Sequence, residues 1–69
     1  MVIEMAIKDM IRHFRKAQRI KQTEMSKQLN VNIDTYRRWE QGKHSIKSEK
    51  LLDIARVLGV TVKDITGKE

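Results

Sequence analysis

Asn32, Ile33, Asp34, Arg37 and Arg38 fall within seven consecutive positions at the start of one helical stretch. Together they offer an amide, an apolar side chain, a carboxylate and two guanidinium forks. In the first turns of a helix these are the groups that read the edges of DNA bases. A guanidinium at Arg38 can bond guanine O6 and N7 together, a carboxylate at Asp34 can accept from cytosine N4, and Ile33 can touch a thymine methyl. Arg37 suits a phosphate, a contact that positions without carrying sequence information. Each has a local alternative. Arg38 can pair with Asp34 four residues before it, Asp34 can stabilise the positive end of its own helix, and Ile33 can simply pack.

The elements that would carry these groups are legible around them. The segment Gln22–Lys43, QTEMSKQLNVNIDTYRRWEQGK, reads as two short helices joined by a tight turn. The spacing of Met25 and Leu29 predicts a helix over about 22–29. Asn30 follows, a residue that tolerates the left-handed conformation such a turn needs, and Val31 can tuck inward. Asn32 is a good N-cap for a helix over about 33–41, which Gly42 ends. A second helix whose first turn projects polar side chains, in a basic chain, suits the DNA major groove.

Outside this unit the periodicity stays helical. Ile7, Ile11 and Phe14 recur at spacings of four and three, which predicts an amphipathic first helix over roughly 4–19. A loop of about 43–47 leads to a fourth helix capped by Ser48, with Glu49 in its first turn and Leu51, Leu52, Ile54, Ala55 and Leu58 as its apolar face. Gly59 ends it. Thr61-Val62-Lys63-Asp64 resembles a capping box and opens a short fifth helix ending near Thr66, with Val62 and Ile65 folded back on helix four. Tyr36, Trp39 and Phe14 are expected to pack in the core. No strand-like alternation occurs. The expected fold is all-α: one compact five-helix domain over residues 1–69, with its helix-turn-helix at about 22–41.

Composition narrows the chemistry. Fifteen Lys and Arg against nine Asp and Glu give a net charge of +6, which favours a polyanion as partner, although a merely solvated surface has the same composition. Sixty-nine residues hold one small core and no catalytic cleft beside it. The absence of cysteine excludes disulfides, thiolate metal sites and cysteine nucleophiles, and fits a cytosolic protein. The apolar start MVIEMAI is too short for a membrane span or a signal-peptide core. His13 and His44 read as surface residues with no ligand cluster around them. No Ser-His-Asp set, phosphate-binding glycine loop or carboxylate pair is present, so no enzyme, cofactor, metal or small-molecule ligand is expected. At 4 % aromatic residues the chain lacks the stacking platform of single-strand binders.

The combined pattern Arg15, Gln22, Met25, Ser26, Leu29, Val31, Trp39-Glu40-Gln41-Gly42-Lys43, then Leu51-Leu52-x-Ile54-Ala55-x-x-Leu58-Gly59-Val60, resembles the lambda-repressor-like family of helix-turn-helix domains, of Cro/cI or XRE type, over roughly residues 7–66. The resemblance implies base reading from Ile33, Asp34 and Arg38, and backbone contacts from Gln22, Asn32, Arg37, Gln41 and Lys43. It also implies a small residue at Ser26 for close helix packing, and an ion pair between Arg15 and Glu40. Four positions depart from the family's habits. Lys21 replaces a capping Thr, Asn30 a Gly, Ile46 a Pro and Ile33 a polar base reader.

The function implied is that of a cytoplasmic, nucleoid-associated regulator in a bacterium or phage, a small repressor binding double-stranded DNA as a homodimer on inverted half-sites. The N-terminal Val2, Ile3 and Met5, or the edge near Val57 and Val62, would form the dimer surface. The alternatives are an antitoxin-type interaction module with a toxin or anti-repressor as protein partner, and a non-specific architectural binder.

Overall fold

Four of the helices end in the same backbone closure, and this closure sets the course of the chain. The computed structural model describes residues 6–67. It contains α1 (Ile7–Ala17), α2 (Gln22–Leu29), α3 (Ile33–Gln41), α4 (Ser48–Leu58) and α5 (Val62–Thr66), and no strand occurs among the described residues. After α2, Asn30 takes the expected left-handed conformation at φ 56°. Its N–H donates to Lys27 O at 3.1 Å, and the N–H of Val31 donates to Ser26 O at 3.0 Å. Gly42 and Gly59 close α3 and α4 in the same way. Each is a Schellman motif, which satisfies carbonyls that the helix end would otherwise leave open.

α1 is shorter than its periodicity predicts. It ends at Ala17 rather than near residue 19, because Arg19 is itself left-handed at φ 58°. The N–H of Arg19 donates to Lys16 O, and that of Ile20 to Arg15 O. The turn carries Ile20 against the core. Nothing in the sequence announces this, since neither glycine nor asparagine marks the turn. The left-handed conformation costs an L-residue roughly 1–2 kcal/mol, and glycine avoids that cost while losing about 0.5–1 kcal/mol through backbone entropy. Arg19→Gly is therefore expected to stabilise the fold by about 0.5–1 kcal/mol in urea denaturation. A lower midpoint would mean that the Arg19 side chain contributes more than its backbone costs. The predicted start of this helix at residue 4 lies outside the described residues, as do Val2, Ile3 and Met5.

The helix starts are less uniform. Asn32 caps α3 as expected, its side-chain oxygen accepting from the Asp34 N–H at 2.8 Å. Thr61 and Asp64 form a complete capping box: the Thr61 hydroxyl accepts from the Asp64 N–H at 3.0 Å, and the Asp64 carboxylate accepts from the Thr61 N–H at 2.9 Å. The bond from the Thr61 backbone, followed by that with its hydroxyl, holds the Asp64 carboxyl below the ordinary aspartate value. Ser48, expected to cap α4, is instead its first helical residue. The first bond of α4 runs from the Leu51 N–H to Lys47 O, so Lys47 occupies the cap position, with no side-chain bond to offer. Lys21 leaves α2 equally without a side-chain cap.

The core is formed by Ile11, Met25, Leu29, Tyr36, Trp39, Leu51, Ile54, Ala55, Leu58 and Ile65, with Phe14, Val31, Val57 and Val62 partly buried against it. α5 folds back on α4 as expected, and it also packs on α1. Leu52 does not join the apolar face of α4 and stays 45 % exposed. Leu51, Ile54, Ala55 and Leu58 share one helical face, and Leu52 sits one residue, about 100°, away from that face. The Gln18 side chain donates to Leu58 O and ties the end of α1 to the end of α4.

Candidate nucleic-acid interface

α3 is gripped along one side and open along the other. Tyr36, Trp39 and Glu40 are buried, whereas Asn32, Asp34, Arg37, Arg38 and Gln41 are exposed, and Ile33 is partly buried. The rings of Tyr36 and Trp39 meet edge to face, 6.2 Å between centroids. This geometry suits a packed aromatic pair and leaves neither ring available for base stacking.

An ion pair fixes the inner side. Arg15 of α1 donates from Nε to Glu40 Oε2 at 2.6 Å and from Nη2 to Oε1 at 3.1 Å, and its Nη1 reaches Ile20 O at 2.8 Å. Both residues are buried, at 9 % and 8 % exposure. The sequence suggested this pair. It did not suggest the third donor, Gln22, whose Nε2 bonds Glu40 Oε1 at 3.1 Å. Gln22, half-buried as the first residue of α2, thus joins the two helices of the helix-turn-helix through their interior.

Burial pushes the Glu40 carboxyl up, but the hydrogen bonds from Arg15 and Gln22, together with the polar Tyr36 hydroxyl nearby, outweigh it, and the net effect lies below the ordinary glutamate value. The bond to Glu40 raises the Arg15 guanidinium against its desolvation. Burial, then Glu40, pushes the Tyr36 phenol up. At neutral pH the site is therefore an ionised pair beside a neutral phenol. The Tyr36–Glu40 contact is the weak member of the set, since the hydroxyl closes no hydrogen bond of normal geometry.

On the open side, Asp34 pairs with Arg37 across one turn at 3.9 Å rather than with Arg38. Both partners are at least half exposed, so the pair is worth little and holds neither side chain in place. Arg38 is left clear of it. It lies along a groove shared with Thr35, His44, Lys47 and Lys50, where Lys50 also reaches Leu29 O at 3.4 Å. Lys47 and Lys50 were not singled out in the sequence because isolated lysines near a helix start read as solvated charge. Only the packing of α4 on α2, the neighbour of α3, brings them to the groove that Arg38 lines.

Lys43 has a signature of its own. After α1, α2 and α4, the residue just past the left-handed position is Ile20, Val31 or Val60, each partly buried against the core. That hydrophobic contact commonly accompanies the motif. After α3 the same position is Lys43, exposed, with its N–H on Arg38 O at 3.0 Å. Of these four closures, this one alone presents a cation to solvent. Gly42 before it has φ +77°, and a Cβ there would meet Lys8 Cδ at 2.8 Å. Glycine avoids the strain of that left-handed turn, whereas the flexible Lys8 stem that crosses it could shift from a Cβ.

The arrangement has close counterparts among solved structures. The clp gene regulator ClgR from Corynebacterium glutamicum superposes with a TM-score of 0.83 at 24 % identity, covering 86 % of this chain and 63 % of that one. The DNA-binding domain of the P22 C2 repressor superposes at 0.85 with 22 % identity, covering 96 % and 88 %. Apo-HppE superposes at 0.80 with 21 % identity, over 87 % of this chain but 34 % of its own. The chain spans less than two thirds of ClgR, and likeness at these identities shows the fold alone. No curated protein sequence matches the chain. The family model for helix-turn-helix domains matches residues 11–65, which span the helix-turn-helix, the buried Arg15–Glu40 pair and the core of α4 and α5. The chain belongs to the helix-turn-helix family of Cro/cI (XRE) type.

Proposed function

We propose that the chain is a sequence-specific, double-stranded DNA-binding transcriptional regulator, a small repressor that acts as a dimer on inverted half-sites. The observation that carries this reading is the two-sidedness of α3. Its inner face is locked by Glu40 to Arg15 and Gln22, while Asp34, Arg37 and Arg38 project from the other face, held by nothing stronger than an exposed ion pair. A helix so fixed and so furnished enters the major groove as a reader. Arg38, with Asp34 and Ile33, reads bases. Arg37 and Lys43 neutralise phosphates, and Gln22, Asn32 and Gln41 contact the backbone as α2 crosses it. The P22 C2 repressor domain, described by name as DNA-binding, supports the reading by its fold. Repression follows from occlusion of a promoter that overlaps the site.

Dimerisation fixes two half-sites about 34–36 Å apart and multiplies the affinity of a domain with few contacts of its own. Selection on a randomised duplex pool at physiological salt tests the proposal, since non-specific binding is weak there. Inverted half-sites one turn apart are the expected product. A pool without enrichment would overturn sequence-specific recognition. Lys43→Ala should weaken binding to all sequences alike and flatten the salt slope by about one. A sequence-dependent loss would make Lys43 a reader instead.

A further inference from the structure

Tyr36 is the only tyrosine in the chain, and none of it is exposed. Among the described residues, its hydroxyl is the one buried side-chain polar atom without a hydrogen-bond partner. Such an orphan is destabilising, and phenylalanine would fill the same space without it. The hydroxyl is not in apolar surroundings. It is near enough to the Glu40 carboxylate and the Arg15 guanidinium to interact with both, yet it closes a hydrogen bond with neither.

The carboxylate beside it is served by a donor with two possible destinations. Gln22 gives Nε2 to Glu40 Oε1 at 3.1 Å, yet it is the first residue of α2 and only half-buried. Its amide is also the kind of donor a phosphate oxygen accepts. Turning outward would strip Glu40 of one of its donors, and an ionised, buried carboxylate tolerates that loss poorly.

We propose that Tyr36 is a positioning residue that replaces Gln22 at Glu40: when the Gln22 amide turns to a DNA phosphate, the Tyr36 hydroxyl donates to the carboxylate oxygen that Gln22 vacates. Tyr36 and Glu40 both belong to α3, so the exchange keeps the carboxylate satisfied, and with it the Arg15 pair that holds α3 to α1, while α2 takes hold of the backbone. The trigger rests on the DNA-binding reading above, whereas the exchange itself is testable in the free protein.

A single tyrosine makes the test direct. Protein carrying ¹³Cζ-tyrosine gives one resonance that reports whether the hydroxyl donates. In free Gln22→Ala the resonance should move from its wild-type position, because Glu40 is then open to Tyr36. Adding a random-sequence duplex at low salt, where non-specific binding is strong, should move the wild-type resonance the same way and leave Gln22→Ala where it was. Tyr36→Phe should weaken duplex binding about two- to tenfold with an unchanged or higher melting temperature. An unmoved resonance in free Gln22→Ala would overturn the exchange, whatever the DNA result. A parallel fall of melting temperature and affinity in Tyr36→Phe would reduce Tyr36 to ordinary packing and also overturn it. A wild-type protein that retains no duplex at low salt would instead overturn the DNA-binding reading.

Discussion

Glu40→Ala is expected to lower stability by about 3–5 kcal/mol, the loss associated with leaving one member of a buried pair alone. Small domains hold about 5–15 kcal/mol in total, so this is a large share of what keeps the chain folded. It corresponds to a fall in melting temperature of at least about 12 °C. The magnitude follows from burial. Arg15 would keep its charge at 9 % exposure and lose two bonds at once, retaining only that to Ile20 O, while Gln22 would lose the bond that ties α2 to α3. DNA affinity should fall with stability, since α3 would no longer be fixed relative to α2. A melting temperature within a degree or two of wild type would show that the pair contributes no more than a surface ion pair.

The same residue gives the fold an acid dependence with a definite sign. The Glu40 carboxyl is depressed in the folded protein, so the folded state binds its proton more weakly than the unfolded chain does. The stability it contributes is complete above the unfolded glutamate value of about 4.3. It is lost as pH falls from there through the lower folded value. Between neutral pH and about 5 this group contributes no slope. Stability measured against pH should therefore fall more steeply below about 4.3 in the wild type than in Glu40→Gln, which has no proton to gain. Equal slopes would mean that other carboxylates govern acid unfolding.

Arg38→Ala is the second large effect, on recognition rather than on folding. It should cost about 1–3 kcal/mol of binding and relax specificity at a single base pair. Stability should stay within about 0.5 kcal/mol, since Arg38 is exposed and surface substitutions rarely do more. The structure sharpens this expectation. With Asp34 turned to Arg37, the Arg38 guanidinium need not break a local pair before meeting a base. Competition binding against single-base variants of a selected site checks it. A uniform loss across all variants would place Arg38 among the phosphate contacts and assign the groove with Lys47 and Lys50 to the backbone.

Local physics made most of the fold readable in advance. Helix periodicity, Asn30 and Gly42 at left-handed positions, Asn32 as a cap and the Thr61–Asp64 box all act within a few residues of themselves, and each appears as expected. Where local marks are absent or ambiguous, the structure departs from the sequence pattern. Arg19 turns the chain with no glycine to announce it, and Lys47 takes the cap that Ser48 resembles.

The helices, their order, the basic charge and the residue types that meet at the start of α3 can all be read along the chain. It takes the packed helices to show that Gln22 faces Glu40 as well as solvent, that Asp34 pairs with Arg37, that Lys47 and Lys50 share a groove with Arg38, and that the Tyr36 hydroxyl is stranded near a carboxylate. The reason is range. Helix formation and capping act over three or four residues along the chain. The partner of a charge or an amide depends on which helices approach each other, and packing across separations such as the 25 residues between Arg15 and Glu40 decides that approach.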